Sequence, residues 1–473
     1  MKRQKITALM LSAAMVLGSV AACSSNEPAT TTAATTAAPA TEATEAEATE
    51  AEETEATEAA ETTEAQVEAN TGDYFELPVQ EVVDEGDGKI MIYGWNTEFI
   101  DLVTKYTGIE YDSTIKESNS YQAALDTALS SGDNAPDLFV CDADYATKYM
   151  NSDNTIAINN IGISYSELGD MYNYTLQFAC DDANVIKGLS WQATPCGVFY
   201  NTVVAQEVLG VSEPDEVAPY FASWEAFAET AALVNEKSNG EVKVVSGTDE
   251  IWRAYLNTRE QGWITDSKEL YVDPVLEGYF DLAKTLKQDN LTFEAGQWGE
   301  GWTANMANHK VLSYWGPMWL PNYCFNFGST NDTAGEWRVV MGPTEYFWGG
   351  TWMMASKYCQ YKATSAQIMR DISLNEDTLK DIAQSGDFVN SVAIMEGLAN
   401  DPNFGIEIFG GQNAAAVLYP SSTSIDNSTV GKDDQKINDE FGSVVSSYIN
   451  GDIETVPEAL KVFEDNLAEL NII

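Results

Sequence analysis

The fold is decided by residues 89–141, which read KIMIYGWNTEFIDLVTKYTGIEYDSTIKESNSYQAALDTALSSGDNAPDLFVC. Short β-rich or apolar runs alternate there with stretches whose apolar residues recur at helical spacing, and Gly132 ends the second of these stretches. The predicted elements are strand 89–94, helix 97–108, strand 109–115, helix 118–132 and strand 137–141. Alternating strands and helices predict a mixed, mainly parallel α/β fold.

Two later stretches add helices to this fold. Asp273 followed by Pro274 predicts a helix start, with Asp as the cap and Pro at the first helical position. Near the end of the chain, an apolar stripe predicts a terminal helix, and its members are Leu460, Phe463, Leu467 and Leu470.

The charge of the chain excludes several classes of partner. The 473 residues include 74 Asp and Glu against 24 Lys and Arg, which gives a formal net charge of -50. Such a field repels phosphate backbones and anionic lipid head groups, so no nucleic-acid partner is expected. The single histidine, His309, excludes multi-histidine zinc sites. We predict neither a cofactor nor a metal site, and no catalytic residue.

The N-terminus reads as an export and anchoring signal. Lys2, Arg3 and Lys5 precede an apolar stretch too short to span a membrane, and Val20, Ala21 and Ala22 then lead into Cys23. Small residues before a cysteine resemble a bacterial lipobox, which implies cleavage before Cys23 and a diacylglycerol on its sulfur. We therefore predict a lipoprotein signal peptide at residues 1–22 and a protein held at the outer face of a bacterial cell membrane.

Residues 23–70 predict an extended, lipid-anchored tether. Ala, Thr and Glu fill 39 of the 47 positions after Cys23, and the segment has no Lys, Arg or aromatic residue. It cannot bury enough apolar surface to fold, and its like charges extend it. Most of the negative charge, -41, nevertheless belongs to residues 71–473. That part is long enough for two lobes with separate cores.

Five cysteines remain after the proposed lipid site, at Cys141, Cys180, Cys196, Cys324 and Cys359. Their odd number and the absence of any CxxC pair argue against a disulfide framework and against a zinc or redox site. Buried free thiols are the expectation, although one or two bridges would be compatible with this number.

The order of segments in residues 88–473 resembles one family. It is similar to the extracellular solute-binding proteins of carbohydrate ABC importers, the family that includes maltose-binding protein. The segments that carry the resemblance are the opening elements with SSGDNAPDLFV (130–140), PCGVFYNTVVAQEVLG (195–210), SWEAFAETAALVNE (223–236), HKVLSYWGPMWLP (309–321), WGGTWMMASK (348–357) and FGGQN (409–413).

The resemblance implies a two-lobed clam-shell with a hinge that the chain crosses about three times. One lobe would contain about residues 74–190 and 349–398, and the other about residues 196–343 and 403–473. The lobes would close over a small neutral carbohydrate and deliver it to the permease subunits of an importer. A monomer is expected.

The aromatic residues independently favour a sugar ligand. A pyranose offers C–H faces that pack on aromatic rings and hydroxyl edges that need polar partners, so Trp or Tyr beside amides and carboxylates is typical of its sites. Trp95, Asn96 and Asp142 also follow strands at the carboxyl edge, where open α/β sheets bind ligands. The predicted ligand-binding residues are Trp95, Asn96, Asp142, Asp144, Tyr145, Trp191, Gln192, Trp315, Gly316, Trp319, Trp348, Gly350, Trp352, Asn390 and Gln412.

Purely structural roles are alternative interpretations at several of these positions. Trp residues in α/β proteins often belong to the core, and we expect core packing for Trp224 and a helical packing face for Trp298 and Trp302. Asp142 and Asp144 could instead cap a helix or bind calcium, but their stretch lacks the spacing and the glycine of an EF-hand.

Two other functions fit some of the same sequence features. A secreted glycosidase would share the aromatic sugar platforms and needs only a pair of carboxylates. The same clam-shell could instead bind a cation such as a polyamine through acidic and aromatic groups. The order of segments favours a binding protein over an enzyme.

Overall fold

The computed structural model describes residues 74–265, 267–325, 333–427 and 429–473. The predicted signal peptide, Cys23 and the predicted tether lie outside the described residues. Within the described part of the chain, no helix combines the length and the apolar character needed to cross a membrane.

Eight strands are described. They are β1 (Ile90–Gly94), β2 (Tyr111–Ile115), β3 (Leu138–Asp142), β4 (Gly188–Ser190), β5 (Cys196–Asn201), β6 (Ser313–Pro317), β7 (Trp337–Val340) and β8 (Thr351–Ala355).

Sixteen α-helices accompany these strands in the described residues. They are α1 (Glu98–Tyr106), α2 (Ser118–Ser131), α3 (Ala143–Met150), α4 (Asn173–Phe178), α5 (Thr202–Val208), α6 (Pro214–Val217), α7 (Trp224–Lys237), α8 (Trp252–Leu256), α9 (Val275–Gln288), α10 (Glu300–Ala307), α11 (Lys362–Ser373), α12 (Glu376–Gln384), α13 (Val392–Ala399), α14 (Ala414–Ser422), α15 (Asp434–Asn450) and α16 (Val456–Glu469).

The predicted opening elements are confirmed as β1, α1, β2, α2 and β3, with ends shifted by one or two residues. Gly132 ends α2 in the left-handed conformation at φ +77°, which glycine adopts without steric cost. The predicted helix start at Asp273 and Pro274 is shifted by one residue, because α9 begins at Val275 with Pro274 as its N-cap, while Oδ1 of Asp273 accepts a hydrogen bond from the amide of Val275 at 3.0 Å. The C-terminal helix also forms as α16, with Phe463 and Leu467 buried and Leu470 exposed.

The strands form two sheets, each within its own lobe. The first sheet has the order β2-β1-β3-β8-β4, and the second has the order β6-β5-β7. Among the eight named strands, only the pairings of β1 with β2 and with β3 are parallel, whereas the other pairings are antiparallel. The prediction of a mainly parallel fold is therefore wrong beyond the opening elements. β8 enters the first sheet after the chain has returned from the second, and it runs against β3 and β4.

The chain passes between the two lobes three times. It leaves the first sheet between β4 and β5 and returns between β7 and β8. Helix α11 then packs on β4, β8 and α1, whereas α14 packs on β7 and α15 on α9, so the third passage lies between α11 and α14. The predicted two-lobed α/β architecture with three crossings is confirmed, while the residue limits of each lobe stay a prediction.

Candidate functional site

A cavity of about 690 Å³ lies between the two lobes. The first lobe contributes residues at or after the carboxyl ends of β1, β2 and β3. The second lobe contributes α8, the start of α15 and the segments around Trp298 and Trp319, and the crossing segments complete the wall. Its lining residues are Trp95, Asn96, Glu98, Ser118, Asn119, Gln122, Asp142, Asp144, Tyr145, Gln192, Arg253, Trp298, Trp319, Trp348, Gly350, Thr351 and Gln435.

Aromatic rings enter this cavity from both lobes. In the second lobe, Trp298 and Trp319 stack with an interplanar angle of 12° and ring centroids 6.1 Å apart. Trp348 packs edge-on against Trp319 at 5.0 Å. In the first lobe, Trp95 and Tyr145 meet edge to face at 6.2 Å. Two separate aromatic surfaces are therefore available to a ligand with apolar faces.

Trp319 is held in place by the backbone of the crossing segment. Its Nε1 donates to the carbonyl oxygen of Trp348 at 3.4 Å. Gly349, at φ +67°, passes so close that a Cβ there would lie 3.0 Å from the Trp319 ring. A side chain at this position would therefore displace the ring that lines the cavity.

Three carboxyl groups cluster at the end of the cavity formed by the first lobe. Burial, reinforced by Asp387 and Asp142, raises the pKa of Glu98 to about 8. Burial, reinforced by Asp144, raises the pKa of Asp142 to about 7. Burial also raises the pKa of Asp387 to about 6, and that carboxylate accepts a hydrogen bond from Nε2 of Gln192 at 2.8 Å. At neutral pH, Glu98 is therefore mostly protonated and can donate as well as accept hydrogen bonds.

Asp142 also has a structural role. Its Oδ1 accepts a hydrogen bond from the amide of Asp144 at 2.8 Å, which caps α3. The helix-cap interpretation of Asp142 is thus confirmed, and its position in the cavity wall is compatible with it. No cluster of potential metal ligands occurs among the residues described in the structure.

An ion pair connects the two lobes beside the cavity. Nη2 of Arg253 on α8 lies 2.6 Å from Oδ2 of Asp144 on α3. The guanidinium carbon of Arg253 lies 4.5 Å from the ring centroid of Trp348, within the range of a cation–π contact. Arg253 thus contacts both lobes and one of the crossing segments.

The structure brings many of the predicted ligand residues together in this cavity. They are Trp95, Asn96, Asp142, Asp144, Tyr145, Gln192, Trp319, Trp348 and Gly350.

Three predicted tryptophans lie in the core instead. Trp191 stacks on Phe99 at 5.9 Å, and Trp352 packs on Phe178 at 4.4 Å. Trp315 stacks on Trp224 at 5.7 Å and is 1 % exposed. Because these rings are enclosed by other side chains, assigning them to ligand contact is corrected to core packing.

The other three predicted residues outside the cavity support backbone or rings. Gly316 leaves room for Trp348, whose ring lies 3.2 Å from where a Cβ would be. Asn390 is buried, accepts from the amide of Tyr172 at 3.0 Å and donates to the carbonyl of Ser190 at 3.0 Å. Gln412 makes two hydrogen bonds of 2.8 Å to the backbone of Val339. None of the three lines the cavity, and their contact with ligand stays a prediction.

Sequence reasoning missed other lining residues. Trp298 was expected to pack on a helix face, but it is 51 % exposed in a loop and lines the cavity, while Trp302 is buried as expected. Ser118 and Asn119 begin α2 shortly after β2, so the strand-end rule applied to Trp95 and Asp142 could have found them. No comparable signal marks Arg253 or Gln435. The remaining missed residues are Glu98, Gln122 and Thr351.

The five cysteines and the histidine take no part in the cavity. Cys141, Cys180, Cys196, Cys324 and Cys359 are free thiols. Nε2 of His309 lies 2.6 Å from Oε2 of Glu336, and neither residue lines the cavity.

Comparisons with known proteins agree with this geometry. A family model described as bacterial extracellular solute-binding protein matches residues 99–404. None of the curated proteins matches the chain in sequence.

Solved structures share the fold at low sequence identity. A structure described as an extracellular solute-binding protein of family 1 has a TM-score of 0.68 at 16% identity and covers 80% of this chain and 98% of its own. An ABC transporter associated binding protein from B. animalis subsp. lactis Bl-04, in complex with beta-1,6-galactobiose, has a TM-score of 0.64 at 20% identity, with coverages of 80% and 97%. The galacto-N-biose-/lacto-N-biose I-binding protein of Bifidobacterium longum, in complex with lacto-N-biose, has a TM-score of 0.62 at 15% identity, with coverages of 80% and 96%.

Proposed function

Because the chain belongs to the family of bacterial extracellular solute-binding proteins, we propose that it is the substrate-binding component of an ABC importer. It captures a neutral sugar or oligosaccharide between its lobes and delivers it to the permease subunits. It acts as a monomer and carries no catalytic residue.

One observation carries this proposal, namely the combination of aromatic rings and polar side chains in a single cavity between the lobes. Trp95 and Tyr145 line it from one lobe, and Trp298 and Trp319 line it from the other. Asn96, Asn119, Gln122, Gln192 and Gln435 add amide donors and acceptors. Rings that cover C–H faces and amides that satisfy hydroxyl groups match the surface of a pyranose.

The structural neighbours give further support. Two of the solved structures with this fold hold sugars, beta-1,6-galactobiose in one case and lacto-N-biose in the other, and both belong to ABC transporters. By analogy of fold, a carbohydrate is the first ligand class to test.

Anchoring to the membrane is the second part of the proposal. The basic start of the chain and the small residues before Cys23 support cleavage at that cysteine and lipid attachment to its sulfur. The acidic Ala, Thr and Glu tether then holds residues 71–473 away from the outer face of the membrane.

A cationic solute remains the second candidate because of the acidic end of the cavity. Glu98, Asp142 and Asp144 line it, and Arg253, its one lining cation among the described residues, is already paired with Asp144. A polyamine would find carboxylates and aromatic rings there. The glycosidase alternative has no such support, because the family consists of solute-binding proteins rather than enzymes.

The experiment that separates these candidates is a titration followed by tryptophan fluorescence. The purified protein is titrated with neutral mono- and oligosaccharides and, separately, with spermidine. We expect a saturable change with at least one neutral sugar, because four tryptophans line the cavity. A saturable response to spermidine alone would contradict the sugar proposal.

The Trp298→Ala variant locates that response in the cavity. Loss of an exposed stacking ring should weaken sugar binding by about 1 to 3 kcal/mol, the scale known for bases stacked on aromatic side chains. The melting temperature should change little, since half of the Trp298 side chain faces solvent. Unchanged affinity in this variant would remove Trp298 from the site.

A further inference from the structure

A second, smaller cavity adjoins the proposed sugar site. Its volume is about 380 Å³, against about 690 Å³ for the larger one. The two cavities share Asp144, Arg253, Trp348 and Gln435 as lining residues. They are therefore neighbouring compartments of one cleft, separated by the Arg253 side chain where it lies over Trp348 and reaches Asp144.

The Arg253 side chain that separates the two cavities can move aside with little loss of stability. The side chains of Arg253 and Asp144 are 26% and 49% exposed, so water screens their attraction. Ion pairs with this much solvent access contribute little to stability. A ligand that supplies its own polar groups can therefore replace the pair and pass between the compartments.

The smaller cavity contains the same kinds of groups as the larger one. Phe347 and Trp252 contribute aromatic surface, and Asn257 and Asn438 contribute amides. Oδ1 of Asn438 accepts from Nε1 of Trp263, and Nδ2 of Asn257 donates to the carbonyl of Arg253. Within the described residues, the other polar atom of each amide makes no hydrogen bond, so one donor and one acceptor remain available for hydroxyl groups.

We propose that the smaller cavity is a second sugar subsite, and that the physiological ligand is an oligosaccharide long enough to extend past Arg253. This inference rests on the proposed function, because it assigns a length class to the sugar that the larger cavity binds. Part of the glycan stacks among Trp298, Trp319 and Trp95, and the remainder lies between the aromatic rings and the amides of the smaller cavity.

Chain-length dependence of binding tests the inference. The intact protein is titrated calorimetrically with glucose, maltose, maltotriose and maltotetraose, and with the β-1,6-linked galactose series of the same lengths. In the series that binds, affinity should rise by about tenfold or more at the length that first enters the smaller cavity. Equal affinity for short and long members would overturn the inference and leave the proposed function standing.

Blocking variants locate the length effect. Gly442 lies on α15 in the wall of the smaller cavity, and a Cβ there would meet nothing within 4 Å. Gly442→Phe should abolish the gain for long sugars and leave the affinity for short ones within about twofold. Gly397→Phe is the matched control, because Gly397 is also a helical glycine with open space and lines none of the described cavities.

A second blocking variant keeps the test decisive if Gly442→Phe fails to fold. Asp439 lines the smaller cavity three residues before Gly442 and is exposed, so Asp439→Phe blocks the same space from the same helix face. Asp377→Phe, at an exposed position on α12, controls for the lost charge. If both blocking variants retain the gain for long sugars, the second subsite is disproved. If no neutral sugar gives a saturable response in the fluorescence titration, the proposed function itself fails.

Discussion

At the scale of single residues, exposure distinguishes Trp298, which faces the cavity, from Trp315, which fills the core. Trp298, Trp315 and Trp348 each precede a glycine, so the same dipeptide occurs at all three positions. Yet Trp298 is 51% exposed, whereas Trp315 is 1% exposed between other rings. Local sequence could not distinguish them, because burial of each ring is decided by distant segments such as α7, which brings Trp224 against Trp315.

Glu98 yields a prediction on the pH dependence of stability. Its pKa rises from 4.5 to about 8 in the folded protein, so the folded state holds a proton that the unfolded state releases. The contribution of this group to stability is fully present below about pH 4.5 and is lost as pH rises towards 8. Glu98→Gln removes the titration, so the variant should gain stability relative to the parent between pH 5 and pH 9.

Urea unfolding of the parent and of Glu98→Gln across this range is the measurement. Glu229→Gln, at an exposed position on α7, is the control and should follow the parent at every pH. A constant difference in unfolding free energy between the parent and Glu98→Gln would mean that Glu98 is charged throughout.

At the scale of secondary-structure elements, strand ends were the most informative signal for the site. Trp95 and Asn96 follow β1, Asp142 ends β3, and Asp144 and Tyr145 come directly after it. All five predicted residues line the cavity. Arg253 could not be predicted in this way, because the short helix α8 reaches the cleft through the packing of the second lobe. The sequence also did not predict that β8 runs antiparallel to β3 and β4, because the direction of a strand depends on where the chain re-enters the sheet.

Gln412 gives a prediction about one element, the strand β7. β7 is an outer strand of its sheet, and the side chain of Gln412 bonds both backbone groups of Val339 as a further strand would. Gln412→Leu leaves these groups without partners and should destabilise the protein by about 1 to 3 kcal/mol. Sugar affinity should stay unchanged, because Gln412 lies outside the cavity.

Thermal or urea unfolding together with a sugar titration checks this expectation. Gln367→Leu, at an exposed position on α11, is the control and should have little effect on either quantity. A Gln412→Leu variant of normal stability that binds sugar weakly would return Gln412 to the binding site.

At the scale of the whole molecule, the order of segments predicted the two-lobed fold and its three crossings, but it did not predict which residues line the cleft. Which side chains face the cleft depends on how the two lobes pack around residues 191–195 and 341–350. The position of Arg253 between the two cavities also depends on lobe packing, because α3 and α8 must face each other across the cleft for Arg253 to reach Asp144. The large negative charge belongs to a solvated surface. We propose that the ligand is selected instead by the aromatic rings and amides that line the cavity.

The measurement that tests the central claim most directly is a crystal structure of the protein with the neutral sugar that binds most tightly. We expect a sugar ring against Trp298 or Trp319, between the lobes, with its hydroxyl groups bonded to the amides that line the cavity. A sugar bound elsewhere on the protein, with the cavity between the lobes empty, would contradict this expectation.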